Sequence, residues 1–212
     1  MIELPTGVPA ELAPLSWLIG VWEGSGIISY AVGEETQLHE FGQRISFSHD
    51  GLPYLNYNSY TWLISDAEAG AGAAERENSH DHQPLVTETG YWRLSRPAAE
   101  ADPGPAMLPG IGEPAYPSAQ AVEALRNAAG GFDIEVSLLH PTGVSELYLG
   151  QVMNGRIDLA TDAVMRSATA KPYAAATRLY GLVQGDLLWA WDIAALGQDL
   201  RSHASAKLVK VD

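Results

Sequence analysis

The strongest constraint on the fold is the regular return of turn residues between short runs rich in β-branched and aromatic side chains. Such runs occupy residues 20–31, 38–49, 53–64, 85–95, 132–140, 145–153, 177–183, 187–193 and 204–211. Between them stand His49-Asp50-Gly51, Pro141-Thr142-Gly143, Asn154-Gly155 and Gln184-Gly185-Asp186. Asn-Gly has the composition of a tight hairpin turn, because glycine takes positive φ without steric cost. In all, about ten strands linked mostly by hairpins are expected. Sequential antiparallel pairing of this kind predicts an all-β fold, a closed up-and-down barrel that leaves no exposed edge.

Helical signals are few. Residues 14–20 can form one turn, with Leu15, Trp17 and Leu18 capping a barrel end, and residues 122–129 can form a short surface helix ending at Gly130. Residues 66–83 are rich in Ala, Gly and Glu, and residues 97–118 carry six prolines without hydrophobic periodicity. Both stretches read as surface-loop insertions in one domain spanning residues 1–212, because strands continue on either side of each.

Charge and cysteine content exclude several functions. A net charge of −14 disfavours nucleic acid, which needs clustered Lys and Arg, and docking on anionic lipid. Without cysteine there are no disulfides, no thiolate nucleophile, no Cys-ligated zinc and no covalently attached haem. The N-terminal segment has no basic region followed by an apolar one, and no run of 18 apolar residues occurs. A cytoplasmic location is therefore expected.

Few groups suggest chemistry. Gly20-Val21-Trp22-Glu23-Gly24-Ser25-Gly26 lacks phosphate-loop spacing and has no following helix; it reads as structural, with Trp22 filling a barrel end and Gly20, Gly24 and Gly26 allowing close backbone approach. His80 and His82 flank Asp81 inside an inserted loop, His140 precedes a turn proline, and His39 and His49 stand at strand ends with no evident partners. Glu88 and Arg93 are either a charge pair or opposed across a strand. No Ser-His-Asp set, H-E-x-x-H motif or carboxylate pair is evident. His203 opens the last run. A neutral imidazole is a good iron ligand, yet from residue type alone a strand-end histidine is more often solvated. Alternation leaves its direction open, since Ala204, Ala206 and Leu208 share one parity and Val209 and Val211 the other.

In combination, several segments resemble the nitrobindin family. They are Gly20 to Gly26, Glu88-Thr89-Gly90-Tyr91-Trp92-Arg93, Leu139-His140-Pro141-Thr142-Gly143, residues 162–171, 178–183 and 197–208. The resemblance covers nearly the whole chain outside the two loops. It implies a lipocalin- and fatty-acid-binding-protein-like barrel with one haem b per chain at its open end. It places the axial iron ligand at His203 and a haem-propionate partner at Lys171. Many relatives follow the glycine motif with a threonine beside the haem, where this chain has Val32. The implied activity is conversion of peroxynitrite to nitrate at ferric haem, with reversible NO binding. The alternatives are a carrier of a fatty acid or other apolar molecule and a haem-based NO sensor or store; a homodimer is left open.

Overall fold

Each of the four turn signals joins two neighbouring antiparallel strands. The computed structural model describes residues 7–32, 35–64 and 82–212, excluding the side chains of Ala31 and Val32. The strands are β1 (Gly20–Val32), β2 (Glu35–Ser48), β3 (Tyr54–Leu63), β4 (Gln83–Leu94), β5 (Phe132–His140), β6 (Val144–Met153), β7 (Arg156–Arg166), β8 (Tyr173–Val183), β9 (Asp186–Ala195) and β10 (Arg201–Lys210). Each pairs with its sequence neighbour, and β10 returns to β1, closing the barrel. Asn154 and Gly155 have φ of 52° and 73°, and Gln184 and Gly185 of 55° and 93°. These are the left-handed values that a two-residue hairpin needs to follow strand twist.

The period-two pattern becomes the barrel wall. On β5, Phe132, Ile134, Val136 and Leu138 are buried, as are Ala204, Ala206 and Leu208 on β10. β7 is the strand that composition does not delimit. Only Ile157 and Leu159 are fully buried on it, and its pairing with β8 stops at Ala160.

One end is plugged. A 3-10 helix at Ala10–Leu18 inserts Leu12, Leu15 and Leu18, each 0% exposed. It begins earlier than the expected single turn at residues 14–20. The Trp22 indole closes beneath it, donating from Nε1 to the Leu18 carbonyl at 2.7 Å. The chain runs close here: a Cβ at Gly24 or Gly26 would overlap the main-chain oxygen of Lys207 or Ser205 on β10. The glycine motif is thus a packing device, as its spacing suggests.

Residues 97–118 lie at this plugged end and are tied to it. Buried Glu11 needs a counter-charge, and Arg96 supplies it while also gripping Asp102 with two further hydrogen bonds. The expected helix at 122–129 lies earlier, at Ala119–Val122, followed by a 3-10 turn at Glu123–Leu125. Ser118 caps its start, accepting from the Ala121 N–H. Among the described residues no helix is long and apolar enough to cross a membrane.

Candidate functional site

Strand direction sorts the loops into two sets. β1 leaves the plug at Gly20, so Ile28, paired with Ala204, lies toward the opposite end. The connections at residues 141–143, 167–172 and 196–200 therefore gather at one mouth. Inside it is a cavity of about 400 Å³ lined by His203, Trp191, Trp189, Phe41, Ile28 and Ile193, and, deeper, by Arg178 and Glu88.

His203 enters that cavity through an irregularity. Along β10, Ser202 pairs with Asp192 and Ala204 with Trp191, so His203 is an extra residue without a cross-strand partner. A bulge bends the strand and re-aims a side chain. Thus His203 lines the cavity although its inward-facing neighbours Ala204, Ala206 and Leu208 have the other parity. Burial lowers the affinity of the imidazole for a proton; a hydrogen bond to the main chain of Ser29 opposes the shift and Arg201 reinforces it. The net shift is downward, which favours the neutral form. A neutral imidazole carries a ring-nitrogen lone pair suited to a metal.

Deeper in the barrel is a polar cluster. Arg178, with a side chain 3% exposed, donates to both oxygens of Glu88 at 2.7 and 2.8 Å and from Nε to the Tyr148 hydroxyl at 3.2 Å. Tyr57 donates to Glu88 at 2.6 Å. Glu146 accepts from Tyr148 and Tyr173, both at 2.7 Å, and pairs with His140 Nε2 at 2.7 Å. Burial alone would raise the Glu88 carboxyl, but the Arg178 charge and hydrogen bonds hold it down at about 2. Glu146 is also shifted downward: burial opposes the shift, and His140, Arg178 and the tyrosine hydroxyls outweigh it. Both carboxylates are therefore ionised inside the barrel. They flank His140, whose Nδ1 lies 3.7 Å from Glu88.

This cluster corrects several sequence expectations. A carboxylate pair does exist, formed by Glu88 and Glu146 from different strands. Of the two readings left open for Glu88 and Arg93, the second holds: they point to opposite faces, Arg93 outward to Glu135. His39 and His49 have partners: Tyr30 at 3.1 Å and the Gly51 N–H at 3.2 Å. The sequence signal for Arg178 was an arginine at an inward position of a strand, flanked on the same face by buried Ala176 and Tyr180.

The other named residues fall around the mouth or outside the described part. Lys171 is exposed in the 167–172 loop and is not among the cavity-lining residues. His82 packs against Trp62 with ring centroids 4.9 Å apart and the rings tilted by 31°. His80, Asp81 and the Val32 side chain lie outside the described residues. No cluster of three metal-ligating side chains occurs among the described residues.

Comparison with known proteins decides the family. The model for the THAP4-like, heme-binding beta-barrel domain matches residues 11–210. The chain belongs to this family. Relatives named peroxynitrite isomerase include one from Clavibacter michiganensis subsp. michiganensis (strain NCPPB 382), 63% identical over the full length of both chains. Another, from Leifsonia xyli subsp. xyli (strain CTCB07), is 60% identical over the same span. The crystal structure of Rv2717c from M. tuberculosis has a similar fold, with a TM-score of 0.65 at 24% identity, covering 99% of this chain and 100% of that one.

The residues present fit the family's haem. The cavity mouth has apolar walls and a partly buried histidine shifted toward its neutral form. The wall also carries Trp191 Nε1, a buried donor with no protein acceptor. An iron with a single axial imidazole requires no cluster of further protein ligands.

Proposed function

We propose that this protein binds one haem b at the cavity mouth through His203 and converts peroxynitrite to nitrate. The observation that carries the reading is the bulge in β10, which turns one histidine, shifted toward its neutral form, into an apolar cavity. The names of its full-length relatives support the reaction. Ferric haem held by His203 would supply a Lewis-acidic iron to a peroxynitrite oxygen, and the same metal would bind NO reversibly.

The protein's own part is positional. His203 presents its unprotonated nitrogen to the cavity, aimed there by the bulge in β10. Phe41, Ile28 and Ile193 surround the occupant with apolar surface and limit water. Lys171, exposed at the mouth, offers an ammonium to a haem propionate. Among the described residues no cavity carboxylate is placed to move a proton: Glu88 and Glu146 are saturated by Arg178, His140 and tyrosine hydroxyls, and isomerisation requires no net proton transfer. The partners are small molecules. The net charge of −14 keeps nucleic acid and anionic membrane surfaces away, in keeping with a cytoplasmic protein.

The fatty-acid-carrier alternative meets a specific obstacle. A carboxylate ligand would need a cation inside the barrel, and Arg178 is already engaged by Glu88 on two nitrogens. The test is a haem titration of the apoprotein followed by absorption, with His203→Ala in parallel. A saturable one-to-one Soret band in the wild type, lost in the variant, is expected, and stopped-flow decay of peroxynitrite then measures turnover. Equal haem binding by both proteins would remove His203 from the iron.

A further inference from the structure

The bulge sends His203 into the cavity but does not fix the plane of its ring. The opposing surface is Trp191, cross-strand partner of Ala204, the residue that follows the bulge. The indole meets the imidazole at 82°, with centroids 5.5 Å apart, an edge-to-face arrangement that favours one relative orientation.

Trp191 is itself held. The Arg178 guanidinium lies 4.2 Å from its ring centroid, and the His140 ring lies nearly parallel at 12° and 6.2 Å. Glu88 locks Arg178 through two hydrogen bonds. A rigid chain of contacts therefore runs from the buried ion pair through the indole to the imidazole. The indole N–H makes no hydrogen bond to protein. By contrast, Trp189 donates to Gln43 at 2.7 Å and Trp22 to Leu18 at 2.7 Å. Trp191 is placed by ring packing.

We propose that Trp191 is a positioning residue for the axial histidine, setting the imidazole plane and transmitting to it the rigidity of the Glu88–Arg178 pair. This rests on the reading of His203 as the iron ligand. An edge-to-face aromatic pair is worth roughly 2–13-fold, below the ~10–100-fold of a hydrogen-bonded outer-shell partner.

The experiment compares wild type, Trp191→Ala, Trp191→Phe and His203→Ala by haem titration, by resonance Raman of the ferrous five-coordinate form, and by thermal melting without haem. Trp191→Phe keeps an aromatic ring and removes no protein hydrogen bond. The expected result is that Trp191→Ala binds haem roughly 2–13-fold more weakly and has a shifted or broadened iron–histidine stretch. Trp191→Phe keeps the wild-type stretch, and any affinity it loses is that of the indole N–H toward the haem. The proposal is overturned if Trp191→Ala melts lower yet keeps the wild-type stretch and affinity, or if the stretch of Trp191→Phe is as altered as that of Trp191→Ala. Should the alanine variant not fold, Trp191→Leu carries the same comparison. A wild type without an iron–histidine stretch, or a His203→Ala protein that retains it, would instead overturn the ligand assignment.

Discussion

Replacing Arg178 by Met should expose how strongly the barrel interior depends on one cation. The Arg178 side chain is 3% exposed and Glu88 10%, so screening by solvent is slight. The substitution removes the two charge-assisted hydrogen bonds to Glu88 and the bond to Tyr148. It leaves two buried carboxylates with only histidine and hydroxyl partners. Breaking a buried pair from one side costs about 3–5 kcal/mol. At this chain length each kcal/mol lowers Tm by about 2–4 °C, so a fall of roughly 6–20 °C is expected.

The pH dependence has a defined sign. With its carboxyl held at about 2, Glu88 contributes stability that is fully present above its unfolded value near 4.5 and is lost as pH falls through the folded value. In Arg178→Met the shift reverses, because burial dominates and the lone carboxylate can neutralise itself by protonation. The deficit relative to wild type should shrink as pH falls from 7 toward 4. Adding Glu88→Gln to Arg178→Met should recover part of the loss at pH 7, since the Glu88 charge is then removed while Glu146 keeps its His140 and tyrosine partners. Urea and thermal denaturation of the wild type, the single variant and the double variant, from pH 4 to 8, measure all of this. A single-variant loss below about 1 kcal/mol, against the 3–5 expected for a broken buried pair, or a double variant no better than the single, would refute the account.

Three further outcomes are expected. Gly26→Val drives side-chain atoms into Ser205 and Phe41 and should cost about 1–3 kcal/mol or more through overpacking, read as a lower urea midpoint with an unchanged m-value. Arg96→Met leaves buried Glu11 unpaired at the plug and should destabilise by about 3–5 kcal/mol, with proteolysis first appearing in residues 97–118; resistance equal to wild type would contradict the clamp. Deleting Ser202 removes the extra residue of the β10 irregularity and returns His203 to regular alternation on the outer face. A protein that melts cooperatively but has lost its Soret band is the expected product, and retained haem binding would show that the bulge does not direct the histidine.

Local signals were sufficient for the architecture. Hairpin turns such as Asn154-Gly155 and Gln184-Gly185 depend on the backbone preferences of a few adjacent residues. Period-two runs such as 132–138 mark their buried face directly, so a closed barrel of about ten strands could be read in order. The plug was legible in its leucines and Trp22, although its start at Ala10 was not. Residues at the family's motif positions named His203 but could not say that it faces inward. That direction comes from a mismatch between β9 and β10, which exists only once the two strands are paired. The Arg178, Glu88, Glu146 and His140 cluster was invisible for the same reason: its members come from four strands, separated by up to 90 residues. A charged residue at an inward strand position looks like an error until its counter-charge arrives from across the barrel. Local backbone preference and hydrophobic alternation therefore determine the barrel from sequence alone. The aim of its histidine and the neutralisation of its buried charges are decided by cross-strand distances, which only closure of the barrel creates.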